Sequence, residues 1–275
     1  MSLKAFKETP PWDWPDGMAQ QLLEVLRDPH SAESERLLAA ELAGDFTVIN
    51  DELTDALLGN LENSASSIAL RCQAALSLGP ILEHAHLEGF DDPEEIPVSE
   101  RALREIQVRL QALYRDRAAP TQVRRRALEA SVRAPEDWHP EAIRNAYASE
   151  DASWQLTAVF CMRFVRGFAE QIMDALENTD PDVRGEALLA AGNWELDSAW
   201  PHVLALVTSE GTEKALLLAA IEALASIRPR EAAQVLAELA DSDDEDISEA
   251  VFEAIAMAEG AVGDDDEHGG NGVLH

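Results

Sequence analysis

The chain has 275 residues, 46% of them hydrophobic and 5% aromatic, with 21 basic and 53 acidic side chains and a formal net charge of −32. That charge repels nucleic-acid phosphates and anionic headgroups, so the sequence argues against nucleic-acid and membrane-surface partners. No apolar run reaches the roughly 18 residues of a membrane helix, and MSLKAFKETPPWDW lacks the apolar centre of a signal peptide.

The charge is unevenly spread. Residues 1–100 hold 5 basic and 20 acidic residues, 101–166 hold 12 Arg and 8 acids, and 167–275 hold 4 basic and 25 acidic residues. A middle of net +4 therefore lies between ends of net −15 and −21. An acidic surface whose Lys occurs only at Lys4, Lys7 and Lys214 is also what salt adaptation or a solubility device produces. Cys72 and Cys161 sit inside apolar helical patterns and read as buried, reduced thiols, which points to the cytoplasm.

Residues 1–15 read as an irregular leader, because the prolines around Trp12 and Trp14 exclude a helix interior. Helical hairpins come next. Their first helices are expected near 17–27, 49–61, 98–116, 139–148, 168–178, 199–208 and 230–240. Their second helices are expected near 32–44, 65–84, 120–133, 152–165, 182–192, 212–226 and 245–258. Residues 171–194 show the unit at its most regular. Asp180 suits an N-cap and Pro181 the first helical turn, while Val183, Ala187, Leu188 and Ala191 share one face.

Each second helix carries a small anchor matching Ala187: Ala39, Ala74, Ala127, Ala158, Ala219 and Val251. The spacings from Ala39 to Val251 are 35, 53, 31, 29, 32 and 32, a period of helical repeats. The long interval holds HLEGFDDPEEIPVSE, residues 86–100, which reads as a loop at the edge of the array. Residues 261–275, acidic and Gly-rich without periodicity, read as a disordered tail, leaving 16–260 as the folded array.

Leu70-Arg71-x-x-Ala74, Val123-Arg124-x-x-Ala127 and Val183-Arg184-x-x-Ala187, with the looser Glu35-Arg36-x-x-Ala39, resemble the HEAT repeat, in particular the short bacterial HEAT-like type found in phycobilisome lyase subunits. The pattern loses its Arg at Gln155, Leu216 and Ser248. The resemblance spans about residues 17–259 and implies an all-α fold, a right-handed α-α superhelix (solenoid) of about seven antiparallel helix pairs. It places second helices on the concave side and has the ladder arginines bridge neighbouring turns.

No catalytic residue set is found. There is no G-x-S-x-G, P-loop, dinucleotide fingerprint, HExxH or paired CxxC. Asp241, Asp243, Glu245 and Asp246 fail as a calcium loop, since Asp246 stands where Gly belongs and Phe252 where Glu belongs. His84 and His86 lack a third ligand, so neither metal nor cofactor is expected. Two constellations remain. Arg124, Arg125, Arg126 and Arg133 on one second helix, with Arg163 and Arg166 on the next, suit carboxylates or phosphates if they are not spent on nearby acids such as Glu129, Asp151 and Glu170. Trp138, Phe168 and Trp200 fall at successive helix entrances, with Trp154 and Trp194 nearby, either as staples or as partner contacts.

The sequence thus points to a non-catalytic interaction scaffold that binds a protein or peptide on its concave face. An acidic partner segment would suit the candidate residues Arg124, Arg125, Arg126, Arg133, Arg163, Arg166, Trp154, Trp194 and Trp200. Two catalytic or assisting readings rank below it: a phycobilin-lyase-like or chaperone-like subunit, and a HEAT-like DNA glycosylase.

Overall fold

The computed structural model describes residues 3–89 and 96–268. These residues form α-helices and short 3-10 turns and contain no strand. The chain divides into two compact units, Met1–His139 and Pro140–His275.

The first unit contains α1 (Leu3–Lys7), α2 (Met18–Arg27), α3 (Glu33–Ala43), α4 (Asp51–Glu62), α5 (Ile68–Ser77), α6 (Gly79–Glu88), α7 (Glu100–Arg115) and α8 (Thr121–Ser131). α2 packs on α3, α4 on α5 and α7 on α8. The second helices α3, α5 and α8 stack in one layer, and α2, α4 and α7 in another. Local chemistry sets the starts. Asn50 accepts from the amide of Leu53 at 2.9 Å, Ser67 from Leu70 at 3.1 Å and Ser99 from Ala102 at 3.2 Å. Each side chain thereby satisfies an amide that the first turn leaves without a helical partner. The anchors Ala39, Ala74 and Ala127 are fully buried, where a small side chain lets helices approach closely.

Two expectations need correction here. The leader is not irregular: α1 puts Leu3 and Phe6 into the core, and Trp14 Nε1 donates to the carbonyls of Phe6 and Thr9 at 3.1 and 3.0 Å. The prolines interrupt the backbone only after α1, so the short helix ahead of them forms against α3. The second helix expected over 65–84 is two helices. Pro80 has no amide to donate, so the ladder stops at Ser77 and restarts as α6, which runs on to Glu88. Of the loop expected at 86–100, residues 90–95 lie outside the described residues, and Ile96 and Val98 are buried.

The second unit contains α9 (His139–Tyr147, entered from the last residue of the first unit), α10 (Ala152–Met162), α11 (Ala169–Leu176), α12 (Pro181–Asn193), α13 (Trp200–Val207), α14 (Lys214–Ile227), α15 (Pro229–Leu236) and α16 (Glu245–His268). α11 packs on α12, α13 on α14 and α15 on α16, and the second helices α10, α12, α14 and α16 stack in order. Asp180 caps α12 by accepting from the amide of Asp182 at 2.9 Å, with Pro181 in the first turn as the sequence predicts. The acids before α16 serve its start: Asp244 accepts from the amide of Asp246 at 3.1 Å, and Lys214 Nζ bonds Asp244 and Asp246 at 2.7 and 2.6 Å.

The sixth anchor shifts by one residue. Ala220 is fully buried and Ala219 is only half-buried, because Leu216 at the helix start faces inward and places the small residue four positions on. The expected tail is helical through His268, and residues 269–275 lie outside the described residues. Once a helix is nucleated, each added residue closes one hydrogen bond, so propagation carries α16 past Gly260 and Gly263.

Candidate functional site

The four arginines expected on one second helix, Arg124, Arg125 and Arg126 on α8 and Arg133 just past its end, are spent within the first unit. Arg124 Nε donates to the carbonyl of Tyr114 at 2.9 Å. Arg126 pairs with Glu129, and Arg125 lies 3.9 Å from the same carboxylate. Glu129 is buried, so these cations offset a charge that could not stand there alone. Arg133 pairs with Glu83 on α6, and its chain lies against Gly79, which has no side chain to obstruct it. This part of the expected basic surface is therefore a set of closed contacts.

Two of the ladder arginines, Arg71 and Arg124, act differently from expectation. Arg71 Nε donates to the carbonyl of Leu61, and Arg124 to that of Tyr114, each the penultimate residue of the preceding helix in the same pair. They cap helix ends within a pair, supplying donors to carbonyls that lack a helical partner. Arg36 reaches the next pair instead. It donates to Asn60, whose amide donates to the carbonyl of Leu26, so the corresponding helix end is capped through an asparagine.

The clefts of the first unit are shaped by the same contacts. One of about 500 Å3 is lined by Glu62, Arg71, Arg109 and Asp116. Glu62 takes both Arg109 Nε and Nη2, at 2.6 and 2.5 Å, and holds the guanidinium more basic than usual. Another, of about 470 Å3, lies between the leader and the ends of α3 and α5, beside Trp14 and Leu76.

The second unit differs. Where α10 ends, Arg163 lies between Phe160 and Phe164, 5.6 and 5.7 Å from the ring centres, and 3.3 Å from Glu186 on α12. Its Nε is buried without a hydrogen-bond partner. Arg166 stacks 4.8 Å over Trp194, is exposed, and has no ion pair among the described residues. Trp194 Nε1 donates to the carbonyl of Met162 at 2.6 Å, and Asn193 Nδ2 to that of Arg163 at 3.3 Å. The end of α12 thus caps the end of α10 and fixes the indole beneath Arg166. Gly167 follows with φ of 99°, a left-handed turn suited to glycine.

The other aromatic candidates are less open. Trp200 is buried beneath Arg228, 5.1 Å from the ring centre, and Arg228 is held by Asp197 at 2.6 Å. Phe168 is buried with Arg144 at 5.9 Å. Trp138 is half-buried against His139 and Tyr114. Trp154 is half-buried near the start of α10. Sequence reasoning passed over Phe160 and Phe164; their four-residue spacing around Arg163 was the signal that could have found them. No cluster of three or more His, Cys, Asp or Glu side chains suited to a metal stands among the described residues. Nor is any helix there long and apolar enough to cross a membrane.

Residues 169–256 match the family model for HEAT repeats. This stretch of the chain is a HEAT-repeat array. The recurring pairs of α11 to α16, with their buried small anchors, are the physical form of that match. No curated protein matches the chain. Among solved structures it is similar to human deoxyhypusine hydroxylase in complex with glycerol, at 17% identity and a TM-score of 0.42, over 90% of this chain and 87% of that one. That protein is by its name an enzyme, and the non-catalytic scaffold role expected for this chain is not shown. HEAT-like helix pairs do not exclude catalysis. At that identity and TM-score the likeness assigns no activity to this chain.

Proposed function

We propose that residues 140–275 recognise an extended polypeptide segment bearing carboxylates beside apolar or aromatic side chains, at the corner where α10 and α12 end. The observation that carries this reading is the stack of Arg166 on Trp194. In a chain with 53 acidic residues, an exposed arginine without an ion pair among the described residues keeps its capacity for a bidentate carboxylate. The indole below it is already fixed by Met162, so little freedom is lost when a ligand contacts both. Arg163 with Phe160 and Phe164 extends the same combination of cation and ring. Recognition of this kind serves a partner protein and a polypeptide substrate alike.

The net charge of −32 speaks against nucleic acid and anionic membranes as partners. A cytoplasmic location is part of the same proposal; two free cysteines, Cys161 buried and Cys72 half-buried, fit a reducing compartment.

The test is an array of short acidic peptides, each carrying a Trp or Phe, probed with the full chain. Arg166→Glu and Trp194→Ala should each weaken the best binders by about tenfold or more, equivalent to about 1.4 kcal/mol. Arg117→Glu, on an exposed turn of the other unit, should leave them unchanged. Equal binding by Arg166→Glu and the native chain, or no binding at all, rules the reading out.

A further inference from the structure

In every second helix followed by another within its unit, the residue after the anchor is buried: Ala40, Ala75, Val159, Leu188 and Ile221. This position belongs to the face on which the next pair stacks. In α16 the anchor is Val251, fully buried, and the next residue is Phe252, which is 76% exposed. No further helix follows among the described residues. The opposite arrangement holds in the first unit, where α1 packs on α3 and buries Leu3 and Phe6. Repeat arrays keep a terminal face soluble with polar residues, so an aromatic ring here marks an interface left open.

The surroundings of Phe252 specify what fits it. Within each unit, several neighbouring pairs are joined by a cation meeting a carboxylate: Glu62 with Arg109, Arg163 with Glu186, and Lys214 with Asp244 and Asp246. On α16, Glu245, Glu249 and Glu253 recur every four residues as a stripe along one side of Phe252, are exposed, and have no ion pair among the described residues. A second copy would set this acidic stripe against itself, in a region of 4 basic and 25 acidic residues. We propose that this face of α16 docks a cationic amphipathic helix of a partner protein, an apolar ridge on Phe252 with Lys or Arg along the side that meets the glutamate stripe. The proposal is independent of the peptide site at Arg166, and its failure would leave that reading standing.

The test uses the full chain and a labelled helical peptide of about 18 residues, long enough for roughly five turns, built from Leu and Lys, with a Leu/Glu twin. Fluorescence anisotropy in physiological salt should show binding of the Leu/Lys peptide and none of the twin. Phe252→Ser should weaken binding roughly 30-fold, as expected for a central aromatic anchor, with unchanged helical circular dichroism because the ring is exposed. Glu249→Gln with Glu253→Gln should weaken it several-fold and flatten its salt dependence. Undiminished binding by Phe252→Ser would reduce the effect to general charge attraction and overturn the proposal. So would a native dimer, seen by sedimentation, that Phe252→Ser dissolves. Binding that appears only in a chain ended after His268 would assign the face to the chain's own last residues, with the same consequence.

Discussion

Arg71 Nε donates to the main-chain carbonyl of Leu61 at 2.8 Å, ten residues back, and Arg124 repeats the contact with Tyr114 at 2.9 Å across the same interval. Arg71 is buried, so its loss removes a charged hydrogen bond and leaves a helix-end carbonyl without a donor. Arg71→Ala should cost about 2–3 kcal/mol in urea unfolding. Arg184 occupies the same pattern position beside a surface cleft, and no hydrogen bond or ion pair holds its side chain among the described residues. Arg184→Ala should stay within about 0.5 kcal/mol of the native chain. Equal costs at the two positions would refute the capping role.

His139 is fully buried, with Nδ1 accepting from the amide of Glu136 at 2.8 Å and Nε2 3.1 Å from Ser131 Oγ. Burial pushes its pKa from the usual 6.5 down to about 4. The unfolded chain therefore takes up a proton first as pH falls. The stability that neutral His139 provides is complete above about 6.5 and is lost as pH descends toward about 4. The loss should reach on the order of 3 kcal/mol. Urea midpoints across this range should fall less steeply in His139→Gln than in the native chain. Parallel profiles would mean that His139 does not titrate differently in the two states.

The helix pairs were legible because their signals are local. Ser67, Ser99, Asp151 and Asp180 stand at helix starts and accept amides of the first turn. The Leu78-Gly79-Pro80 break was equally local, and reading one helix across it overlooked the missing amide of Pro80. The adjacent Ala219 and Ala220 left the sixth register open, since periodicity alone cannot choose between neighbouring small residues. The pairings that decide the site are long-range: Arg133 finds Glu83 fifty residues away, and Trp194 reaches Met162 across thirty-two. A run of arginines looks the same in sequence whether its charges are open or consumed. Only the fold separates Arg126, paired with Glu129, from Arg166, stacked on a ring.

Gly44 and Gly79 make opposing predictions about a single methyl group. A β-carbon on Gly44 would stand 2.6 Å from the carbonyl oxygen of Ser77 and 2.9 Å from its Cα. That obstacle is helix backbone, so α3 and α5 must separate, and Gly44→Ala should cost about 2–3 kcal/mol. On Gly79 it would stand 2.7 Å from Arg133 Cδ. That side chain can turn away at the cost of its pairing with Glu83, so Gly79→Ala should cost about 1 kcal/mol or less. Unfolding midpoints of the two variants decide the order. A larger loss at Gly79 would show that the Arg133–Glu83 contact is more rigid than its partial exposure indicates.

The thiols should be slow to react. Cys161 is fully buried in α10, and Cys72 is half-buried on α5. Burial raises the Cys72 pKa against the opposing pull of Arg126, so the nucleophilic thiolate is scarce near neutral pH. A disulfide-exchange colorimetric reagent should label the native chain at least about tenfold more slowly than free cysteine, and should find both thiols promptly in concentrated guanidinium chloride. Arg126→Gln removes the cation that draws the Cys72 thiol toward ionisation, so labelling at that position should slow further. Faster labelling would mean instead that the lost pairing with Glu129 opens the layer between α5 and α8. Urea unfolding of the same variant separates the two outcomes, since an opened layer lowers the midpoint before any reagent is added.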